Sequence, residues 1–266
     1  MISTLSHDQT ARPVAPTGGL WAPVFAFTVA VLRASLKNRA ALAGTLFTPL
    51  FMLAIFALVT PRAKPGAFDM LAFIFPGIIA FTVTMAGSGQ VMRLGSWRQQ
   101  GVFDRLACTP VPLGMLVLGA SGAAVLLGLI QAVLVLAFGV VAFGLVVAPL
   151  GVLGAVGVLT LGGACFIAYG SLVSSLVPRL EVANLVFIFT LLPMAFLGNT
   201  FMPSAQMPSI VQTIGPWLPT TLIADLTRAL LAGSDPAHGY GLPVLGLLAY
   251  TALFSLSSAR LFRAEA

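Results

Sequence analysis

The ionisable and nucleophilic residues of this 266-residue chain are few and far apart. Seven acidic residues are scattered among the polar segments, and His7 and His238 stand near opposite ends. Cys108 lies in a basic segment and Cys165 deep in an apolar run, so no disulfide between them is expected. An intramembrane protease or group-transfer enzyme needs a nucleophile beside a base, or a cluster of ligands able to hold a metal. Neither constellation is present, and no metal site is expected. The chain also lacks the Gly-x-x-x-x-Gly-Lys-Ser/Thr loop that cradles phosphates, so it is not expected to bind ATP in that manner or to be an enzyme itself.

The most informative spacing lies between Arg93 and Pro110. It reads Arg93-Leu-Gly-Ser-Trp-Arg98-Gln-Gln-Gly101-Val-Phe103-Asp104-Arg105-Leu106-Ala-Cys-Thr109-Pro110. Phe103 and Leu106 are three apart, on one face of a helix, while Asp104 and Arg105 point elsewhere. Such a helix can insert an apolar ridge into a groove on a partner protein. A solvated loop anchored by arginines fits the same residues. Gln131 and Asn199 are polar within apolar runs, where they either line a substrate path or hydrogen-bond a neighbouring helix. Asp225 and Arg228, at i,i+3 spacing, predict a local ion pair. Gly162, Gly163 and Gly170 are expected to admit close helix contact, and Pro49 and Pro193 to act either as gating kinks or as ordinary bends in their helices.

The elements that position these residues are membrane spans. The chain is 59% hydrophobic and only 8% charged, with a mean hydropathy of +1.04. Soluble domains carry about 25% charged residues, and a shortfall this large follows when most of the surface faces lipid. The net charge of +6 does not point to nucleic acid, because the basic residues sit at the ends of apolar runs, where they suit anionic headgroups. Uncharged runs predict six spans, at about residues 40–60, 70–91, 113–146, 150–177, 182–202 and 242–259. Pro149 divides the long uncharged stretch that would otherwise exceed one crossing of a ~30 Å core. Residues 1–19 read as a flexible cytoplasmic tail, with 20–266 a single transmembrane domain. Residues 20–39 read as an interfacial helix and 203–240 as short or re-entrant helices on the outer face. The fold class expected is all-α integral membrane. With both termini inside, ten Lys and Arg fall on the inner side and three (Arg62, Lys64 and Arg228) on the outer, which supports cytoplasmic termini. The six predicted spans hold no Asp, Glu, Lys or Arg, which argues against the rival reading of an ion-coupled secondary transporter or channel.

Gly101, Asp104, Arg105, Leu106, Thr109 and Pro110 match the acidic-Gly-x-x-acidic-Arg-Leu-x-x-Thr-Pro pattern of a cytoplasmic segment in the ABC type-2 exporter permeases, which export drugs, lipids and polysaccharides. Gln100 replaces the usual acidic residue before the glycine, so a salt bridge from that position is lost. A second match runs from Phe196-Leu-Gly198-Asn-Thr-Phe-Met-Pro203 through Met207-Pro208, Pro216 and Leu218-Pro219 to Asp225 and Arg228. Over about residues 20–260 the chain resembles that family. The resemblance implies a separate ABC ATPase that binds ATP and Mg, and a second permease chain, either a copy or a paralogue. It implies that segment 93–110 is a coupling helix seated in the ATPase through Arg98, Gly101, Phe103, Asp104, Arg105, Leu106, Thr109 and Pro110. Arg179 and Glu181 are then a second ATPase contact or headgroup anchors. The cargo would be a lipophilic drug-like molecule or lipid, passing between the two permeases in a bacterial cytoplasmic membrane.

Overall fold

A computed structural model describes residues 21–60, 68–107, 112–236 and 239–265. The described chain is helical: α1 (Ala22–Lys37), α2 (Arg39–Val59), α3 (Met70–Gln99), α4 (Val102–Ala107), α5 (Leu113–Phe143), α6 (Pro149–Leu176), α7 (Leu180–Leu197), α8 (Ser209–Ile214), α9 (Pro219–Ala232) and α10 (Gly241–Glu265). Two single 3-10 turns, Ser204–Gln206 and Gly215–Trp217, flank α8. Among the described residues there is no strand. Six helices, α2, α3, α5, α6, α7 and α10, are long and apolar enough to cross a membrane. The protein is a multi-pass, all-α membrane protein with the six spans the uncharged runs predict.

Local chemistry sets the helix ends. The Asp69 carboxylate caps α3 by accepting from the backbone N–H groups of Leu71 (3.0 Å) and Ala72 (3.2 Å). Gly144 and Gly233, both at positive φ, close α5 and α9. Pro149 and Pro219 open α6 and α9 from the first turn, where a missing N–H costs nothing. Pro49 and Pro193 lie inside α2 and α7.

Several boundaries differ from those read off the uncharged runs. The second span does not stop near Val91: α3 continues to Gln99, taking in Arg93 and Arg98. Thirty helical residues extend about 45 Å, more than the ~30 Å hydrocarbon layer, so a crossing does not require its last turns to be apolar. The third span ends at Phe143 and the fifth at Leu197, both earlier than expected, because Gly144 and Gly198 terminate them. The sixth runs on to Glu265.

Helix α3 is the hub, packed against α2, α5, α6, α7 and α9. Ile74, Ile78, Ile79 and Leu94 on α3 are fully buried with Phe166 on α6 and Phe187 and Leu191 on α7. α3 and α6 approach backbone to backbone: a Cβ on Gly87 would overlap the Phe166 carbonyl, and one on Gly170 the Gly87 carbonyl. Without a hydrophobic drive between helices in lipid, such close contact through small residues is the main attraction available. Gly162 similarly accepts Ile223 of α9. By contrast, α2 and α7 leave apolar faces uncovered, with Phe47, Phe51 and Leu58 exposed on one and Leu185, Phe189 and Phe196 on the other.

The bundle therefore has two distinct ends. One carries α1, α4, Arg98 and Arg179 and is called here the arginine-rich end. The other, the re-entrant end, carries α8 and α9. α1 has no buried residue and packs along α5, where the Thr28 hydroxyl donates to the Gly119 carbonyl at 2.9 Å.

Candidate functional sites at the two ends of the bundle

At the arginine-rich end, Gly101 adopts φ 61°, a conformation only glycine takes readily, and turns the chain out of α3 into α4. The predicted long amphipathic helix over 93–110 is thus corrected. Its first third belongs to α3, and the separate helix is the six-residue α4. The arginines divide accordingly. The Arg93 guanidinium is tucked into the bundle, where Nη1 donates to Gln90 Oε1 (3.1 Å) and to the Ala120 carbonyl (3.2 Å). Arg98 Nη1 donates to the Ser174 carbonyl at 2.9 Å, tying α3 to the end of α6. Arg105 is exposed and folds back on its own turn, with Nη2 to the Gln100 carbonyl at 2.8 Å.

Trp97 joins three elements at this end. Its ring meets Phe27 of α1 edge-on (centroids 6.0 Å) and Phe103 of α4 edge-on (6.2 Å). These ring contacts join α4 to α1 and α3. Arg179 and Glu181 are exposed at the start of α7.

At the re-entrant end the polar groups converge inward. Arg228 on α9 forms the expected ion pair with Asp225, Nη1 to Oδ1 at 2.5 Å. It also does what its spacing does not reveal. Nη2 donates to the Asn199 carbonyl (2.8 Å), Nε to the Phe73 carbonyl on α3 (3.2 Å), and the guanidinium lies 3.8 Å from the Phe73 ring centroid. Burial lowers the Arg228 pKa, with the Asp225 carboxylate opposing that shift. Asn199 completes the knot, donating to Asp225 Oδ1 (2.8 Å) and accepting from the Ser204 N–H (3.0 Å). Nearby the Thr220 hydroxyl donates to the Met194 carbonyl (2.8 Å), clamping the start of α9 to the last turn of α7.

A family model described as ABC-2 type transporter matches residues 23–232. This chain belongs to the ABC-2 type transporter family. The match takes in α1 to α9, both ends of the bundle included. Among curated relatives, Nodulation protein J of Rhizobium meliloti (strain 1021) is 28% identical over 206 residues, covering 73% of this chain and 74% of that protein. Nodulation protein J of Rhizobium leguminosarum bv. trifolii is 28% identical over 176 residues, with 64% of this chain and 65% of that protein aligned. "Putative transport permease YvfS" of Bacillus subtilis (strain 168) is 24% identical over 239 residues, covering 87% of this chain and 93% of that protein. The protein is a transmembrane permease of the ABC transporter class.

In this ABC-2 permease the residues singled out by sequence do not form one site. Gly101, Phe103, Asp104, Arg105 and Leu106 fall in or beside α4, whereas Thr109 and Pro110 lie outside the described residues. Gln131 is buried on α5 and donates to the Thr45 hydroxyl of α2 at 2.7 Å. Asn199 stands in the turn after α7, held as described. Trp97, Phe73 and Gln90 went unrecognised in the sequence. The fully buried Gln90 donates to Ser121 (3.1 Å) and Ser171 (3.4 Å), linking α3 to α5 and α6. A glutamine and an arginine three apart at the end of an apolar run was the signal available for that cluster.

Proposed function

We propose that this permease is the membrane half of an ATP-driven exporter, with a separate ABC ATPase seated on α4 at the arginine-rich end. In this reading that end and both termini face the cytoplasm of a bacterial cell, as the Lys and Arg bias supports. The observation that carries it is α4 itself. It is a short helix between two spans, of a family whose members are membrane subunits of ABC transporters, presenting Arg105 to solvent while Phe103 grips Trp97. Closure of the ATPases on ATP and Mg would push α4 and tilt α3 and α1 as one body. Arg179 and Glu181, exposed at the same end, are a second contact for the ATPase.

The exposed apolar faces of α2 and α7 support a second permease chain against them, with the cargo path between the two chains. A path walled by such faces suits a lipophilic drug-like molecule or a lipid. The rival is a self-sufficient secondary transporter, which would need ionisable groups along its path.

The test is recovery of the tagged chain from its native membrane, followed by reconstitution into vesicles. A P-loop ATPase is expected to copurify, and a lipophilic dye to move only with ATP present. Robust transport driven by an ion gradient, with no ATPase in the preparation, would sink the proposal.

A further inference from the structure

Helix α3 is the most buried of the six spans, yet one strip of it is open. Met85, Ser88 and Met92, spaced three and four apart, lie on one face of the helix, with Gly89 beside them. Gly89 is exposed, and a Cβ there would meet no atom within 4 Å. Met92 is 45% exposed, and Met85 and Ser88 are partly exposed. The strip borders α7, where Asn184 is partly exposed next to the open side chains of Leu185 and Phe189. The Ser88 hydroxyl donates to Asn184 Oδ1 at 2.6 Å, which joins the strip to that wall.

The side-chain amides of the bundle are not alike. Gln90 gives its nitrogen to Ser121 and Ser171, Gln131 to Thr45, and Asn199 to Asp225. Each of these amides holds another element of its own chain. Asn184 is held at its oxygen by Ser88, and its nitrogen has no hydrogen-bond partner among the described residues. That nitrogen is not sealed in the protein either, because the buried side-chain atoms left without a partner are the hydroxyls of Thr200, Thr221 and Thr227. A donor at the lipid-facing surface of a span has no water to bond, so it favours an accepting group brought to it. Ser88 fixes the orientation of the amide, so the donor is in place before anything binds. The flexible, polarisable methionines beside it suit apolar bodies of varied shape.

We infer that Ser88 and Asn184 are a specificity-determining pair for the cargo. The Asn184 carboxamide donates a hydrogen bond to an accepting oxygen, a carbonyl or an ether, of a lipophilic molecule whose apolar body lies over Met85, Gly89 and Met92. The inference rests on the reading that cargo passes along the open face beside α7, and it names what that face selects. Asn184 lies one turn inside the start of α7, at the end that faces the cytoplasm in the proposed orientation. The donor therefore meets cargo that enters from the inner leaflet.

Binding is read on the full chain in phosphatidylcholine nanodiscs, without nucleotide or ATPase, by photolabelling and mapping of the labelled peptides. One probe is an alkyl diazirine chain carrying a ketone, and its twin has a methylene in place of the carbonyl. Both are expected to label α3 between Met85 and Met92 and α7 around Asn184. The ketone should label about fivefold more, the ratio that one hydrogen bond of about 1 kcal/mol gives. Ester carbonyls of the lipid are present in excess, so this preference means that the amide selects a carbonyl lying in the path over one in the bilayer. Asn184→Leu should erase the preference and leave labelling by the methylene twin unchanged, which also shows that the variant is folded. Ser88→Ala should reduce the preference without erasing it, and no change there would strike the serine from the pair. Equal labelling by the two probes, or a preference that survives Asn184→Leu, would overturn the inference and leave the path reading standing. Loss of both labels in Asn184→Leu would make Asn184 a packing residue and overturn it as well. Label from neither probe on this face would remove the path reading and the inference with it.

Discussion

At the re-entrant end, one guanidinium is held by three oxygens drawn from α3, the turn after α7, and α9. At the arginine-rich end, among the described residues, the exposed Arg105 bonds to carbonyls of its own turn, Gln100 and Gly101. The first arrangement satisfies its charge inside the chain and welds a re-entrant helix to the hub. The second stands in a charged, six-residue helix whose Phe103 meets Trp97 of α3 edge-on. Six residues are too few to hold a helix in water by hydrogen bonding alone. The difference separates a polar cluster satisfied within the chain from a polar surface that, under the proposed function, meets the ATPase.

The sharpest way to break the comparison is Arg228→Leu. It leaves Asp225 without its cation and strips two backbone carbonyls of a donor. The carboxylate is 39% exposed, so water compensates in part. A loss of about 3 kcal/mol is expected, at the lower end for a broken buried pair, seen as a clearly lowered unfolding temperature of the purified chain. Arg228→Lys should fall between, because an ammonium cannot reproduce the fork. If Arg228→Leu unfolds like the parent, the cluster is not structural and the contrast between the ends collapses.

The span count was legible because lipid excludes charge, and the uncharged runs marked all six. The span ends were less legible. Helix α3 passes its own first arginine because Arg93 finds Gln90 and Ala120 within the bundle, a partnership between residues up to 27 apart in sequence. Asp225 and Arg228 could be paired from their spacing alone. Nothing local tied them to Phe73, 155 residues away from Arg228, since that contact depends on where α9 turns back against α3. Trp97 lies within the 93–110 segment, but its ring contacts with α1 and α4 could not be read from the sequence, for the same reason. The segment 93–110 was read as one helix and the structure divides it at Gly101, because helix periodicity does not show the break that a positive-φ glycine makes.

The complementary change at the arginine-rich end is Phe103→Glu. Phe103 is only half-buried, so the unfolding temperature should move little, by the equivalent of less than about 1 kcal/mol. Transport by the assembled exporter should fall at least tenfold, about 1.4 kcal/mol of lost coupling. The measurement is ATP-dependent dye movement, paired with the amount of ATPase that copurifies. A stable variant with full transport removes α4 from the coupling pathway. A variant as unstable as Arg228→Leu would mean that both ends are structural in the same sense.

The smallest expected effect tests the middle of the bundle, where neither regime rules. Gln131 is 7% exposed and donates to Thr45 across α5 and α2. Interhelical hydrogen bonds in membranes average about 0.6 kcal/mol, because the alternative state also finds partners. Gln131→Leu keeps the volume and should cost about that much, with Thr45→Val costing little more in its presence, as a shared bond requires. A path-lining role predicts the reverse pattern: unchanged stability, a shifted cargo preference, and no dependence on Thr45. α2 is the least buried span together with α10, so a modest bond here holds a helix that little else in the chain restrains. That makes the coupling between the two substitutions, and not either loss alone, the quantity that decides between glue and lining.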